Sequence, residues 1–557
     1  METELKFQVP APQRAAVQAA VATPGARTLR LQARYFDTAD QRLAGAGLAL
    51  RLRNEGGRWV QALKGGGDGL LRRLEHEVAL PAGMGLPALD VARHDGTAAG
   101  ERLRRALDGG HSLPAERFAT DIHRTRRRVR SGGATIEIAL DVGWLKAGTR
   151  RHAVHELEFE LIAGPPLALV RLAERWVQRF GLWWDVRTKA ERGQRLARGV
   201  TTVPATKAGR VPLSEADAPG DAFAAMVQGA LAHALPNLAE IAERGDVVEV
   251  TQGLASAEHL HQARVGLRRL RSVLRECAAW SGDEAAARAL EEDWRAPFSR
   301  LGAARDADVM ALTVLPRLQA LGIALPSRQG AREEATATRR NAAPGAPTPA
   351  GPRRGAAAAV PTLRDQVTST EVQRLLLRTL AVALGAATRA ARAGSAPCAA
   401  RAASRPPAAK VPSASNAARA LAQPSLRHAA AAVLARAHKR ALVDSKRFAD
   451  LHIERQHRVR KRLKRLRYLF ELLRPLLGGG PGARRHERRQ ERLQERLATA
   501  TGALGDLNDL AVAAALLGQA LPLPVQTVLD AERRRCMRRV AQELDALRRL
   551  PPAWDPG

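Results

Sequence analysis

In the first 200 residues, like charges recur two positions apart. Residues two apart on a β-strand share a face. Glu2, Glu4 and Lys6 therefore point one way, and Leu5 and Phe7 the other. Arg51 shares a face with Arg53, Glu75 with Glu77, Arg124 with Arg126, Glu137 with Asp141, and Glu156 with Glu158 and Glu160. Lys64 ends a further strand, and Lys189 lies just beyond the last helix of this part. Any one of these strands reads as the solvated outer face of an antiparallel sheet. The set reads differently. Three glutamates along one face repel one another unless cations sit among them. Turned inward in a barrel, the strands would line a cavity with Arg and Lys on some walls and carboxylates on others. Basic walls suit phosphate. Carboxylates suit Mg²⁺ or Mn²⁺, hard cations that take oxygen ligands.

A second pattern lies further along. On a helix, His261, Arg264, Arg268 and Arg271 fall on one stripe, with Leu267, Leu270, Val273 and Leu274 opposite. His457, Arg460, Lys464 and Arg467 form the same stripe, backed by Leu463, Leu466, Phe470 and Leu473. One such stripe reads as a solvated basic face; two with histidine at the same end read as a duplication. Each copy is followed by a second match, Leu301-Gly-Ala-Ala-Arg305-Asp306-Ala-Asp308 and Leu504-Gly-Asp506-Leu-Asn508-Asp509. Four neighbouring cations repel a metal ion, which argues against His261 and His457 as metal ligands. Cations at one-turn spacing suit a chain of phosphates, with the acidic segments orienting the arginines by fork-type pairing.

The surrounding elements follow from periodicity. Alternation marks strands at Glu2–Val9, Ala46–Arg53, Arg58–Lys64, Arg73–Leu80, Ala134–Val142 and Ala153–Ile162. Helices are expected near 10–22, 98–107 and 166–180. Residues 201–220 read as a polar linker, and everything beyond about 221 as helical. Low-complexity stretches interrupt that part at about 327–362 and 394–424, with a helix at Glu371–Arg392 between them.

Composition bounds the function. The 557 residues carry 89 basic and 56 acidic side chains, a net charge of +33. That points to a polyanionic partner: nucleic acid, acidic membrane or polyphosphate. Arg-rich drift explains part of it, but residues 420–500 alone hold 21 basic and 7 acidic residues. Aromatics are only 3%, which weakens single-strand binding by base stacking. No apolar run spans a bilayer and the N-terminus lacks a signal h-region, so the expectation is a cytoplasmic protein; a polyphosphate partner would add association with polyphosphate granules. Cys277, Cys398 and Cys536 are too scattered for a disulfide scaffold or a cysteine zinc site.

ETELKF, the block from Tyr35 to Gly65, ALDVGWL, HELEFEL and TKAERG together resemble, in order, the CYTH or triphosphate tunnel metalloenzyme family over about residues 1–200. The duplicated stripe resembles the CHAD domain over about 221–550. The resemblances imply an α+β chain: an N-terminal antiparallel eight-stranded β-barrel, the triphosphate tunnel, followed by an all-α duplicated four-helix-bundle domain. They imply metal ligation by Glu2, Glu4, Glu158 and Glu160, and phosphate contacts from Lys6, Arg51, Arg53, Lys64, Arg124, Arg126 and Lys189. Glu156, Glu158 and Lys64 are implied in catalysis, with Mg²⁺ or Mn²⁺ activating a water against a terminal phosphorus. His261, Arg264, Arg268, Arg271, His457, Arg460, Lys464 and Arg467 are implied in polyphosphate binding.

The expected activity is hydrolysis of inorganic tripolyphosphate to pyrophosphate and phosphate. Three alternatives stand beside it. One is thiamine triphosphate hydrolysis or ATP cyclisation, disfavoured because no aromatic cluster is evident beside the basic strands. Another is a non-catalytic polyphosphate-binding protein. The third is nucleic-acid binding through the stripes.

Overall fold

The structure is a computed structural model. It describes residues 2–67, 69–81, 85–108, 113–244, 250–309, 316, 361–395, 425–478, 483–517 and 523–554.

The barrel strands are β1 (Glu2–Gln8), β2 (Arg27–Asp37), β3 (Leu48–Glu55), β4 (Arg58–Gly66), β5 (Arg72–Ala79), β6 (Ala115–Ser131), β7 (Ala134–Ala147) and β8 (Arg150–Ala163). All pairings are antiparallel, in the order β5-β4-β3-β2-β6-β7-β8-β1, and β1 pairs back onto β5. Eight strands therefore close without an edge. A two-residue β9 (Trp183–Trp184) pairs with the end of β1. The six strands read from alternation correspond to β1, β3, β4, β5, β7 and β8; β2 and β6 complete the circle. Helices α1 (Arg14–Val21), α2 (Arg42–Gly45), α3 (Ala98–Leu107), α4 (Pro166–Phe180) and α5 (Lys189–Arg198) surround it.

Alternation puts each strand's two residue sets to different use. On β8 the glutamates face inward, while Leu157 and Phe159 are fully buried on the outside. Phe7 of β1 meets Phe159 edge-on at 5.7 Å, and Phe159 meets Trp176 of α4 at the same distance. So α4 covers this outer face, starting at Pro166 and ending at Gly181, whose φ of 60° suits glycine. Helix α5 starts with a capping box, Thr188 with Glu191. It presses on the barrel so closely that a Cβ at Gly193 would stand 2.1 Å from the Phe118 ring.

The helical part comprises α6 (Pro219–Arg244), α7 (Val250–Glu276), α8 (Glu284–Asp293), α9 (Arg295–Val309), α10 (Leu363–Thr368), α11 (Thr370–Ser395), α12 (Leu426–Leu442), α13 (Ile453–Leu473), α14 (Ala483–Leu517) and α15 (Leu523–Arg548). Helices α6 to α11 pack as one bundle and α12 to α15 as another, with α7 against α13 at the seam. The low-complexity stretches lie outside the described residues except at their edges, where Thr362 caps α10 and residues 394–395 end α11. Residues 201–218 carry no helix or strand, yet they are not a free tether: Val211 is buried, and Thr206 exchanges two hydrogen bonds of 3.0 Å with Asn237 of α6.

One apolar core runs from β1, β7 and β8 through α4 into α6, α7 and α11. At the junction the buried Trp184 amide donates to Gln373 Oε1 at 2.8 Å. Burial of this continuous apolar surface is what holds barrel to bundle. Among the described residues, no helix is long and apolar enough to cross a membrane.

Candidate functional site

Inward-facing charges meet in a barrel cavity of about 340 Å³. Glu2, Glu4, Lys6, Arg51, Arg53, Lys64, Arg124, Glu158 and Lys189 all line it, joined by Arg73, Arg102 and Asp141. Strand pairing explains the convergence. Glu2 lies opposite Arg73 on β5, Lys64 opposite Glu75, and Arg124 opposite Asp141.

The ion pairs are short and interlocked. Lys64 Nζ reaches Glu2 at 2.8 Å and Glu75 at 2.9 Å. Arg73 pairs with Glu4 at 2.6 Å, and Arg53 with Glu77 at 3.1 Å. Arg124 grips Asp141 through two nitrogens at 2.6 and 2.7 Å and reaches Glu158 at 2.5 Å. Lys189 Nζ meets Asp141, Glu156 and Glu158 at 2.8, 2.6 and 2.7 Å.

Electrostatics follow from this packing. Burial disfavours charge on Glu158, but Lys189 and Arg124 outweigh it and hold the carboxyl well below its ordinary range. Burial likewise opposes the Lys189 charge, yet Asp141 and Glu158 push it up to about 12. Lys6 makes no close ion pair among the described residues; burial and neighbouring Arg192 lower it to about 7 against the pull of Asp185. Its Nζ donates to the Arg187 main-chain oxygen. Glu160 is raised to about 7 by burial and by Glu2 and Glu137.

Three expectations need correction. Glu156, expected near the water, is fully buried off the cavity wall, where Lys189, Arg192 and Gln8 hold it. It is a counter-ion beneath the floor. Arg126, expected to clamp phosphate, lies off the wall with its side chain 42% exposed and pairs with Glu137. Glu160 keeps its place as a candidate metal ligand, beside Glu2 and Glu137 at the edge of the cavity lining. The aromatic expectation fails too: Tyr35 and Phe118 stack at 4.4 Å on the cavity wall, and Arg51 donates to the Tyr35 hydroxyl at 3.2 Å. The two rings cover each other, and the Arg51 guanidinium stands 6.0 Å from the Tyr35 centroid.

The fit to a divalent cation is set by donor chemistry. Among the described residues, one group of three carboxylates has oxygens within 4.8 Å of one another: Asp141, Glu156 and Glu158. Arg124, Lys189 and Arg192 already neutralise it. The other end of the cavity is different. Glu4 and Glu160 are paired across β1 and β8, Glu160 is paired with Glu137, and Glu2 is close by. Burial first, then Glu2 and Glu137, raises Glu160; Glu2 and Glu4 pair with Lys64 and Arg73 here, and an all-oxygen set of this kind suits a hard cation.

The basic stripes meet across the seam. On α7, Leu267, Leu270, Val273 and Leu274 are fully buried, as are Leu463, Leu466, Phe470 and Leu473 on α13. The opposite faces look toward each other, so Arg268 and Arg460 repel, as do Arg268 and Lys464. Burial, Arg460 and Arg268 drive Lys464 down to about 6. Burial and Arg268 take Arg264 to about 10. His261 and His457 are lowered by burial and then by neighbouring cations.

In this groove an aromatic ring holds the arginines. Arg264, Arg268 and Arg271 approach the Phe298 ring at 4.5, 5.5 and 5.1 Å. Arg264 also donates to the Phe298 carbonyl at 2.8 Å. The repeat aligns Phe298 with Thr501, which accepts from Arg467 at 3.2 Å. Asp306 and Asp509 favour the charges of Arg264, Arg460 and Lys464 from a distance, while Asp506 pairs with Arg539 outside the stripe.

Arg73 and Asp141 were legible by parity, two residues from Glu75 and four from Glu137. Phe298 and Arg187 carry no local signal, because long-range packing alone brings them to the charges they hold.

The CYTH domain model matches residues 1–182 and the CHAD domain model residues 225–518. A crystal structure of the CHAD domain from the plant Ricinus communis is 25% identical, covers 62% of this chain and 95% of its own, and gives a TM-score of 0.38. A putative adenylyl cyclase from Hippeastrum, described as having a dominant triphosphatase activity, is 20% identical over 36% of this chain and 97% of its own, with a TM-score of 0.27. A putative adenylate cyclase from Bacillus halodurans is 16% identical over 34% and 96%, with a TM-score of 0.26. By the match over more than half its length, the chain belongs to the CHAD-domain family, with a CYTH domain ahead of the CHAD domain.

Proposed function

We propose that the barrel is a metal-dependent inorganic triphosphatase and that the helical groove binds inorganic polyphosphate. The observation carrying this reading is the convergence of Lys6, Arg51, Arg53, Lys64, Arg73, Arg124 and Lys189 with Glu2 and Glu4 in one cavity of about 340 Å³. Water adds to a terminal phosphorus of tripolyphosphate, the bridging P–O bond breaks, and pyrophosphate leaves with that oxygen.

The cations neutralise charge on the chain and on its leaving group. Glu158, held ionised, aims Arg124 and Lys189 at the cavity. Glu2, Glu4 and Glu160 are the residues that would hold Mg²⁺ or Mn²⁺. A divalent ion bound there supplies Lewis acidity to a phosphoryl oxygen. Tyr35 is covered by Phe118 and by the Arg51 guanidinium, which favours an inorganic substrate over a nucleotide or thiamine ester.

Phosphate release from tripolyphosphate with Mg²⁺ or Mn²⁺ is the test. Glu4→Gln should lose about 100-fold in rate. An inactive wild type, or full activity in Glu4→Gln, ends the catalytic reading and leaves a polyphosphate-binding protein. A panel with thiamine triphosphate and ATP checks the substrate. Competition between long polyphosphate and duplex DNA at equal salt checks the partner; preference for DNA would overturn it.

A further inference from the structure

Between barrel and bundle lies a buried charge relay that the cavity does not include. Lys6 leans on the main-chain oxygen of Arg187. The Arg187 guanidinium grips Asp185 through two nitrogens at 2.8 and 2.9 Å, and Gln8 donates to Asp185 at 2.9 Å. Its remaining nitrogen reaches Glu240 at 3.3 Å and also Glu243, both on α6 of the helical part. Glu240 accepts a second bond from Arg195 of α5. Helix α5 carries Lys189 and Arg192, which hold Asp141, Glu156 and Glu158.

Glu240 thus ties down residues 187 and 195, the two flanks of the segment that supplies Lys189 and props Lys6. Arg187 and Glu240 each have side chains only 4% exposed, so water cannot replace the lost partner. Removing the Glu240 charge leaves Arg187 with Asp185 and Glu243 and takes a carboxylate from Arg195.

We propose that Glu240, a residue of the CHAD domain, is a positioning residue for the tunnel, setting through Arg187 and Arg195 where Lys6 and Lys189 stand against a bound phosphate chain. The inference rests on the triphosphatase reading. It makes the helical part a working support of the barrel site.

A second ion pair across the same boundary provides the control. Arg374 of α11 meets Glu174 of α4 at 3.1 Å, and neither lines the cavity. The experiment compares full-length wild type, Glu240→Gln and Glu174→Gln in tripolyphosphate hydrolysis, with thermal unfolding of each. Glu240→Gln should lower kcat/KM about tenfold, with kcat carrying more of the loss than KM. Glu174→Gln should stay within about twofold of wild type. Both should bind long polyphosphate as wild type does, which reports an intact helical groove. Equal kinetic effects from the two variants, or none from Glu240→Gln, overturn the proposal. If wild type hydrolyses no triphosphate, the catalytic reading fails by itself. Titration of the same proteins with tripolyphosphate then decides the relay: Glu240→Gln must bind more weakly than the other two, and equal affinities overturn it.

Discussion

Tunnel and groove are both rich in cations, but they balance them in opposite ways. In the tunnel Arg51, Arg53, Lys64, Arg73, Arg124 and Lys189 each reach a carboxylate within 3.7 Å. In the groove, among the described residues, no ion pair joins Arg264, Arg268, Arg460 or Lys464 to a carboxylate, although Arg271 and Arg467 pair with Glu291 and Glu471; Arg264, Arg268 and Arg271 also rest on Phe298. Paired cations are fixed in place, which suits a ligand of one length and geometry. Unpaired cations repel one another and are relieved by any polyanion, which suits a chain of variable length. A positive net charge therefore says little until its partners are known.

The largest expected effect lies in the tunnel. Lys189→Met takes the shared cation from Asp141, Glu156 and Glu158, leaving Arg124 and Arg192 to balance all three, and should cost about 3 kcal/mol of stability. Triphosphate turnover should fall about 100-fold with it. Denaturant unfolding and phosphate release measure both; unchanged stability would show that the pairing is not structural.

The matching change in the groove should have the opposite sign. Lys464→Met removes a repelled, half-desolvated cation and should raise the melting temperature, while weakening polyphosphate binding about tenfold. The pH dependence follows. Lys464 is lowered from 10.5 to about 6, so between those values the unfolded chain holds a proton that the fold lacks. Its contribution to stability therefore improves as pH rises through that window. A bound polyanion restores the proton, so affinity should fall from pH 6 to pH 8, with proton uptake on binding. Calorimetry in two buffers of different ionisation enthalpy detects it, and loss of a proton instead would refute the groove assignment.

A smaller effect separates the two copies of the repeat. Phe298→Leu should weaken polyphosphate binding about threefold by removing the ring under three arginines, and Phe298→Tyr should preserve it. Thr501→Val, at the aligned position, takes one contact from Arg467, which keeps its pair with Glu471, and should do less. Equal losses would erase the distinction. Smallest of all, Arg288→Ala breaks an exposed i,i+4 pair with Glu284 and should move stability by under about 0.5 kcal/mol, with polyphosphate binding untouched. A measurable loss of binding there would mean that net charge matters more than its placement.

Much of this was legible from local pattern. Alternation at Glu156–Phe159 separates a charged face from an apolar one, and α4 and the barrel interior use those faces as the pattern implies. The 3.6-residue stripe at His261–Arg271 likewise separates a buried leucine face from a basic one. Glu156 shows the limit. Its parity matches Glu158, yet Arg192 and Gln8 close over it, and neither lies near it in the chain. Arg126 shows the same limit from the other side, because distance along β6 carries it to the exposed rim.

By itself the amino-acid order determined which residues share a face, where charge concentrates, and that the helical unit is duplicated, since these depend on backbone periods of two and 3.6. Tertiary structure alone decided which charges meet. It set Arg73 on Glu4, turned two basic stripes toward one another, placed three arginines on Phe298, and joined Lys6 to Glu240 through Arg187. The reason is physical: Coulomb and burial energies depend on distances through space, and those between segments 50 to 200 residues apart are settled only when the chain closes its barrel and packs its bundles.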